Sequence, residues 1–238
     1  ELPGEVYITR TLATYSYELN NKKAPFDNVN VRKALNLSLD RNVITDKVLG
    51  QGQTPTYVFT PTYIEEGHLI QQPAYSKEPM AQRNEEAIKL LEEAGYSKAN
   101  PLKFTILYNT NENHKKVAIA AASMWKANTK GLIDVKLENQ EWKTYIDSRR
   151  AGRYDAARAG WNADYNQATT FGNYFLSNSS NNTAKYANPE YDKAIAESYV
   201  ATDAEGRAKA YAKAEEILAK DFGIVPIFNY VNPRLVKP

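Results

Sequence analysis

Three observations predict an α/β layer structure, a mixed sheet flanked by helices. Segments with strand-like alternation of apolar and polar residues take turns with segments whose apolar residues recur every three or four positions. The helical segments carry starts and stops written in Asn, Asp and Gly. The strand–helix order continues along the chain without an internal repeat or low-complexity tract, which favours one domain over two.

Taken in order, residues 6–19 read as extended. Val6 and Ile8 alternate, then Tyr15, Tyr17 and Leu19, with polar residues between them. Asn20-Asn21-Lys22-Lys23 is a polar turn. Asn28 is placed to cap a helix whose stripe is Val31, Ala34, Leu35 and Leu39. Asp40 caps a second, short helix through Val43, Ile44, Lys47 and Val48, closed by Gly50. Pro55, Pro61, Pro73 and Pro79 exclude a long helix over 51–82, so that stretch reads as a meandering loop. Asn84 is expected to cap the next helix, with Ala87, Ile88, Leu91 and Ala94 on one face and Gly95 as the stop. Residues 102–108 and 133–137 are strands. The helix 114–129 between them has the stripe Val117, Ala118, Ala121, Met124 and Trp125. A short helix opens at 141–146 and ends near 149–152, and a strand follows over 154–161. Residues 177–182 form a polar, exposed loop. Helices follow over 189–202 and 203–222, with Asp203 capping the second. Residues 224–231 are an apolar strand in which Pro226 marks an edge or a bulge.

Composition narrows the function. The chain has 238 residues, 30 basic and 28 acidic, a formal net charge of +2. That balance gives no reason to expect a nucleic-acid or membrane-surface partner. With no cysteine, thiol nucleophiles, thiolate metal sites and disulfides are excluded. His68 and His114 are the only imidazoles, far apart and without carboxylates at ligand spacing, so no metal set is expected. The 17 tyrosines offer apolar area with a polar tip, suited to a core or to a ligand surface. No signal peptide opens the chain. Glu1-Leu2-Pro3-Gly4 is unlike a natural start and 234–238 stops without a cap, so a fragment cut at both ends is expected.

The stretch around which the rest is organised is 157–166. Arg158 offers a fixed fork of donors for a carboxylate. Asp164 accepts from an ammonium. Trp161 gives a flat surface with one N–H, and Gly160 lets a ligand backbone approach. A short peptide, a zwitterion with an apolar body, matches this set. On these residues alone, an ordinary surface ion pair beside a packed Trp is the commoner arrangement. Glu18, ending its strand, reads by itself as a solvated rim charge. His114, near a helix start, is unremarkable as a neutral ring. As a cation there it is disfavoured unless a carboxylate pairs with it.

The pattern Pro25-Phe26-Asp27-Asn28-Val29, then Val31-Arg32-Lys33-Ala34-Leu35, then Leu39-Asp40-Arg41 resembles the signature of the peptide/nickel group of extracytoplasmic solute-binding proteins. These are the binding components of ABC importers. Residues 139–144, 157–166 and 225–238 are similar to the oligopeptide-binding branch of that group. The resemblance covers essentially the whole chain. It implies the C-terminal lobe of a type II periplasmic-binding-protein fold, with residues about 1–19 and 223–238 as strands leading to a missing N-terminal lobe. It further implies a periplasmic, non-catalytic protein that binds short peptides, with a membrane permease as partner and no cofactor.

The resemblance also implies roles. Asp164 would hold the peptide ammonium; Arg158, or His114 for another peptide length, would reach the carboxylate. Trp142, Trp161 and Tyr230 would line side-chain pockets. Gly160 and Asn162 would bond the peptide backbone, and Glu18 and Arg149 would tune preference from the outer pocket. The sequence departs from the family where a bridged cysteine pair is expected, at Ala13 and Asn162, and where a lysine is expected near Leu49. Within the family, murein tripeptide, a nickel chelate and haem are rival ligands. Outside it stands a carboxylate-pair hydrolase built on Glu141 or Glu18 with Asp164, for which no nucleophile motif, metal set or phosphate loop is present.

Overall fold

The structure, a computed structural model, describes residues 6–236. The first five residues and the last two, into which the two outer strands were expected to extend, lie outside the described residues. Six strands form one mixed sheet in the order β2-β6-β1-β5-β3-β4. They are β1 (Val6–Leu19), β2 (Thr54–Pro55), β3 (Leu102–Asn109), β4 (Ile133–Gln140), β5 (Ala156–Asn162) and β6 (Ile224–Leu235). β1 is the axis, antiparallel to β5 on one side and to β6 on the other. β3 runs parallel to both β4 and β5. Pro226 sits at a bulge, because the register shifts between Tyr15, opposite Phe228, and Ser16, opposite Pro226.

The alternation along β1 has a consequence on both faces. Tyr15, Tyr17 and Leu19 enter a core shared with α1 (Val29–Leu37), α2 (Met80–Glu93) and α3 (Glu112–Asn128). Thr14, Ser16 and Glu18, on the opposite face, are equally buried. There a second core lies over the sheet, formed by the loop at Phe59 and Ile64 with α5 (Thr169–Gly172), α6 (Pro189–Val200) and α7 (Ala204–Asp221). Glu18 is therefore not the solvated rim charge that its place at a strand end suggested; the second layer covers it.

The Leu39-Asp40-Arg41 motif has a local reason. Helix C-termini leave carbonyls without partners. Here the buried guanidinium of Arg41 donates to Asn36 O at 3.1 Å, and that of Arg83 donates to Leu37 O at 2.9 Å and Leu39 O at 3.0 Å. Cations at this end also suit the helix dipole. Asp40 accepts from the N–H groups of Asn42 and Val43, and the short helix that follows is wound as a π-helix, Val43–Leu49.

Three expectations need correction. α2 starts at Met80 with Pro79 as its N-cap, so Asn84 lies inside the helix and does not cap it. The first turn forms around Arg83, whose side chain is drawn into the carbonyls of α1. Second, the 51–82 loop contains a short strand, β2, pairing with Asn229 and Phe228, and a 3-10 turn at Ala74–Lys77. Third, the 177–182 loop is not exposed throughout, because Asn182 is buried and donates to the carbonyls of Leu176 and Tyr186. Among the described residues, no helix is long and apolar enough to cross a membrane.

Candidate ligand-binding edge

β5 pairs with β1 along its whole length but with β3 only at Ala156 and Ala157. From Arg158 to Asn162, the edge away from β1 meets no strand among the described residues. The Ala163 N–H donates to Leu12 O, towards β1. Alternation then turns the backbone groups of residues 161 and 159 to β1, and those of 158, 160 and 162 to the open edge. The carbonyl of Arg158 accepts from the Tyr145 hydroxyl on α4 (Trp142–Arg150). Gly160 and Asn162 thus present N–H and C=O groups along an open strand edge.

A hollow lies on each side of that edge, and Trp142 and Gly160 border both. One, of about 450 Å³, is walled by Thr11, Arg158, Asn162 and Tyr230. The other, of about 420 Å³, is walled by Ile146, Arg149, Trp161, Tyr174 and Thr183. Cross-strand register explains the division. Arg158 and Gly160 stand opposite Tyr17 and Tyr15, on one face, while Trp161 stands opposite Thr14, on the other. Trp161 and Arg158, grouped as one set from sequence, are separated by the sheet. The Trp161 N–H is also committed, donating to Thr170 O at 2.9 Å.

Arg158 is held by neutral groups. Its guanidinium donates to the Tyr230 hydroxyl at 2.7 Å and to Asn109 Oδ1 at 3.3 Å, and lies 5.1 Å from the Tyr15 ring centroid. Burial works against its charge, but the surrounding oxygens of Tyr230, Tyr15 and Tyr145 more than offset that, so its pKa is raised. Its Nε is buried without a partner, and no carboxylate among the described residues pairs with it. Gly160 leaves room for the tips of the Arg158 and Tyr230 side chains. A Cβ there would meet Arg158 Nη2 at 2.6 Å and the Tyr230 hydroxyl at 3.1 Å.

His114 faces the same cation. Tyr15 OH lies 3.3 Å from its Nδ1. Burial first, and Arg158 second, lower its pKa from 6.5 to about 4. The ring is neutral at pH 7, and an anion placed between it and Arg158 would relieve the second cause. Glu18 and Arg149 are instead satisfied by each other, with Arg149 Nη2 3.0 Å from Glu18 Oε1. Tyr174 and Thr183 hydroxyls also donate to Glu18. Arg149, Tyr174 and Thr183 line the second hollow, and Glu18 bonds to all three. Asp164 is exposed on the loop beyond β5. Its carboxylate has no ionic partner among the described residues, and it lines neither hollow.

The structure therefore gathers Arg158, Gly160, Asn162, Trp142 and Tyr230 at one hollow, with His114 close to Arg158 through Tyr15. It gathers Trp161 and Arg149 with buried Glu18 at the other. Sequence reasoning missed Tyr145, Tyr174, Thr183 and Asn109. Tyr145 had a signal, since it lies one helical turn after Trp142, and the two rings are 5.6 Å apart. The others come from the end of β3, from a 3-10 turn and from a loop, and left none.

Residues 3–183 match the family model described as Bacterial extracellular solute-binding proteins, family 5 Middle. The chain belongs to this family. Over all 238 residues it is 96% identical to the periplasmic oligopeptide-binding protein OppA of Haemophilus influenzae, and 44% identical to the periplasmic murein peptide-binding protein MppA of Escherichia coli. It spans 44% of the length of each of these solute-binding relatives. The crystal structure of H. influenzae OppA in complex with the peptide RPPGFSPFR superposes with a TM-score of 0.96 at 95% identity, covering 100% of this chain and 46% of that one.

Proposed function

We propose that this chain is the C-terminal lobe of a two-lobe periplasmic clamp that binds short peptides, without altering them, for uptake through an ABC importer. The observation that carries the reading is the open edge of β5 between two hollows. A peptide laid along a strand edge bonds through its backbone, and its side chains alternate to the two sides. Gly160 and Asn162 supply the backbone groups, and the paired hollows supply the two sides. Backbone bonding is blind to side-chain identity, and roomy hollows accept waters at little cost, so broad selectivity follows.

The charges fit the termini. Arg158 and Asp164 are six positions apart, at most about 20 Å along an extended chain, a reach that accommodates a short peptide. Arg158, with neutral His114 beside it, takes the carboxylate; Asp164 takes the ammonium. Half a cleft leaves a ligand wet on one side, so tight binding needs the opposite lobe. The strands at the outer ends of β1 and β6, paired from Val6–Leu235 to Arg10–Val231, are the route to it. A permease is the partner of the whole clamp.

In the two-lobe protein, Asp164→Ala is expected to weaken peptides with a free amino terminus by about 2–4 kcal/mol once the ligand is enclosed. N-acetylated peptides should lose much less. Equal loss for both would remove Asp164 from this role. A murein peptide is the second reading, favoured by the likeness to the murein peptide-binding relative. Native mass spectrometry of protein purified without refolding separates the two by the mass of the bound species, and also reveals a nickel chelate or a porphyrin.

A further inference from the structure

The loop that carries Asp164 has no covalent tie, since the chain contains no cysteine. It is gripped instead by two consecutive residues from a distant loop. The Glu65 carbonyl accepts from the Ala168 N–H at 3.0 Å, and the Glu65 N–H donates to Asn166 Oδ1 at 3.1 Å. Glu66 Oε2 accepts from Gln167 Nε2 at 3.0 Å. Three successive residues of the Asp164 loop are thus held by one dipeptide.

Glu66 is unusual in two respects. It is a carboxylate only 7% exposed, paired through Oε1 with Arg207 Nε of α7 at 2.7 Å. It also stands at φ 65, a left-handed conformation that disfavours any residue with a Cβ. Such a residue persists where its surroundings over-determine it. Here Ile64 on one side and Ala168 on the other are both buried in the second core, so the grip is anchored at each end.

We propose that Glu65 and Glu66, backed by Arg207, form a brace that sets the position of the Asp164 loop and thereby the affinity for ligands with a free ammonium. This rests on the peptide reading of the site. Glu66 is a positioning residue; it acts through Asp164 and touches no ligand.

Glu66→Gly tests this cleanly. Glycine accepts φ 65 without strain, so the substitution removes the grip on Gln167 while relieving the backbone. In the two-lobe protein, trialanine and N-acetyl-trialanine are titrated calorimetrically against the wild type, Glu66→Gly, Asp164→Ala and the double variant. Glu66→Gly is expected to weaken trialanine about tenfold and N-acetyl-trialanine less than about twofold. In the Asp164→Ala background it should add nothing. Equal loss for both peptides, or the same loss in both backgrounds, would make the brace merely structural and overturn the inference while leaving the peptide site intact. If Asp164→Ala alone leaves trialanine binding unchanged, the reading of the site fails and the inference with it. Should Glu66→Gly not fold, Arg207→Ala, which removes only the outer half of the brace, carries the same cycle with the same two outcomes.

Discussion

Two pairs of opposite charges sit close together on this sheet and have different fates. Glu18 and Arg149 are both buried and meet at 3.0 Å; Glu18 accepts from the Tyr174 and Thr183 hydroxyls, and Arg149 donates to the same two oxygens. Arg158 and Asp164, on the next strand and its loop, do not meet. Arg158 leans on phenol oxygens and an aromatic ring, and Asp164 faces solvent. A buried charge without a counter-charge is costly unless something else compensates it. The first pair is closed upon itself, and its Arg149 lines a hollow. The second is left open, and under the proposed function a zwitterionic guest supplies what it lacks.

The largest expected effect tests the closed pair. Arg149→Ala leaves Glu18 buried and unpaired, and should destabilise the protein by about 3–5 kcal/mol, read from urea unfolding. Arg158→Ala, which removes a cation without an ionic partner, should change stability by no more than about 1 kcal/mol while weakening peptides that carry a free carboxylate. Similar stability losses for the two variants would erase the contrast. Next comes a covalent tie. Ala13 and Asn162 stand directly opposite in the β1–β5 register, in a pair whose backbone groups turn away from each other. Ala13→Cys with Asn162→Cys should bridge on oxidation and stabilise by about 2–4 kcal/mol. Failure to bridge would contradict that register.

The smallest effect is a titration. His114 should take its proton at about 4 by NMR, because burial and Arg158 oppose the charge. The unfolded chain takes that proton first, nearer 6.5, so stability falls as pH drops from 6.5 towards 4. Arg158→Ala should raise the pKa of His114 part of the way back, since burial remains. A titration of the folded protein unmoved by that substitution would mean that the two groups do not share a field.

What could be read from sequence follows from which interactions are local. The alternation of Tyr15, Tyr17 and Leu19, the Asn28 and Asp203 caps, and the bulge at Pro226 are written in neighbouring residues, and all are present. The burial of Glu18 was not legible, because the layer covering it comes from Phe59 and Tyr174, far along the chain. Asn84 had the chemistry of a cap, but Arg83, drawn into the carbonyls of α1, places it within the helix. At the proposed site, the stretch singled out by its residue types, 157–166, contributes Arg158, Gly160, Trp161 and Asn162 to the walls of the two hollows. Its division into two faces became visible only with the strand register, and the brace at Glu66 is a contact between distant loops without periodicity.

The central claim is that the β5 edge is open in the unliganded protein and occupied by peptide backbone in the complex. Hydrogen exchange at the amides of Gly160 and Asn162, followed in the proposed two-lobe protein with and without a saturating peptide, tests it directly. Fast exchange without peptide and strong protection with it is the expected result. Amides already protected in the free protein, or unchanged when the peptide is bound, would contradict the account.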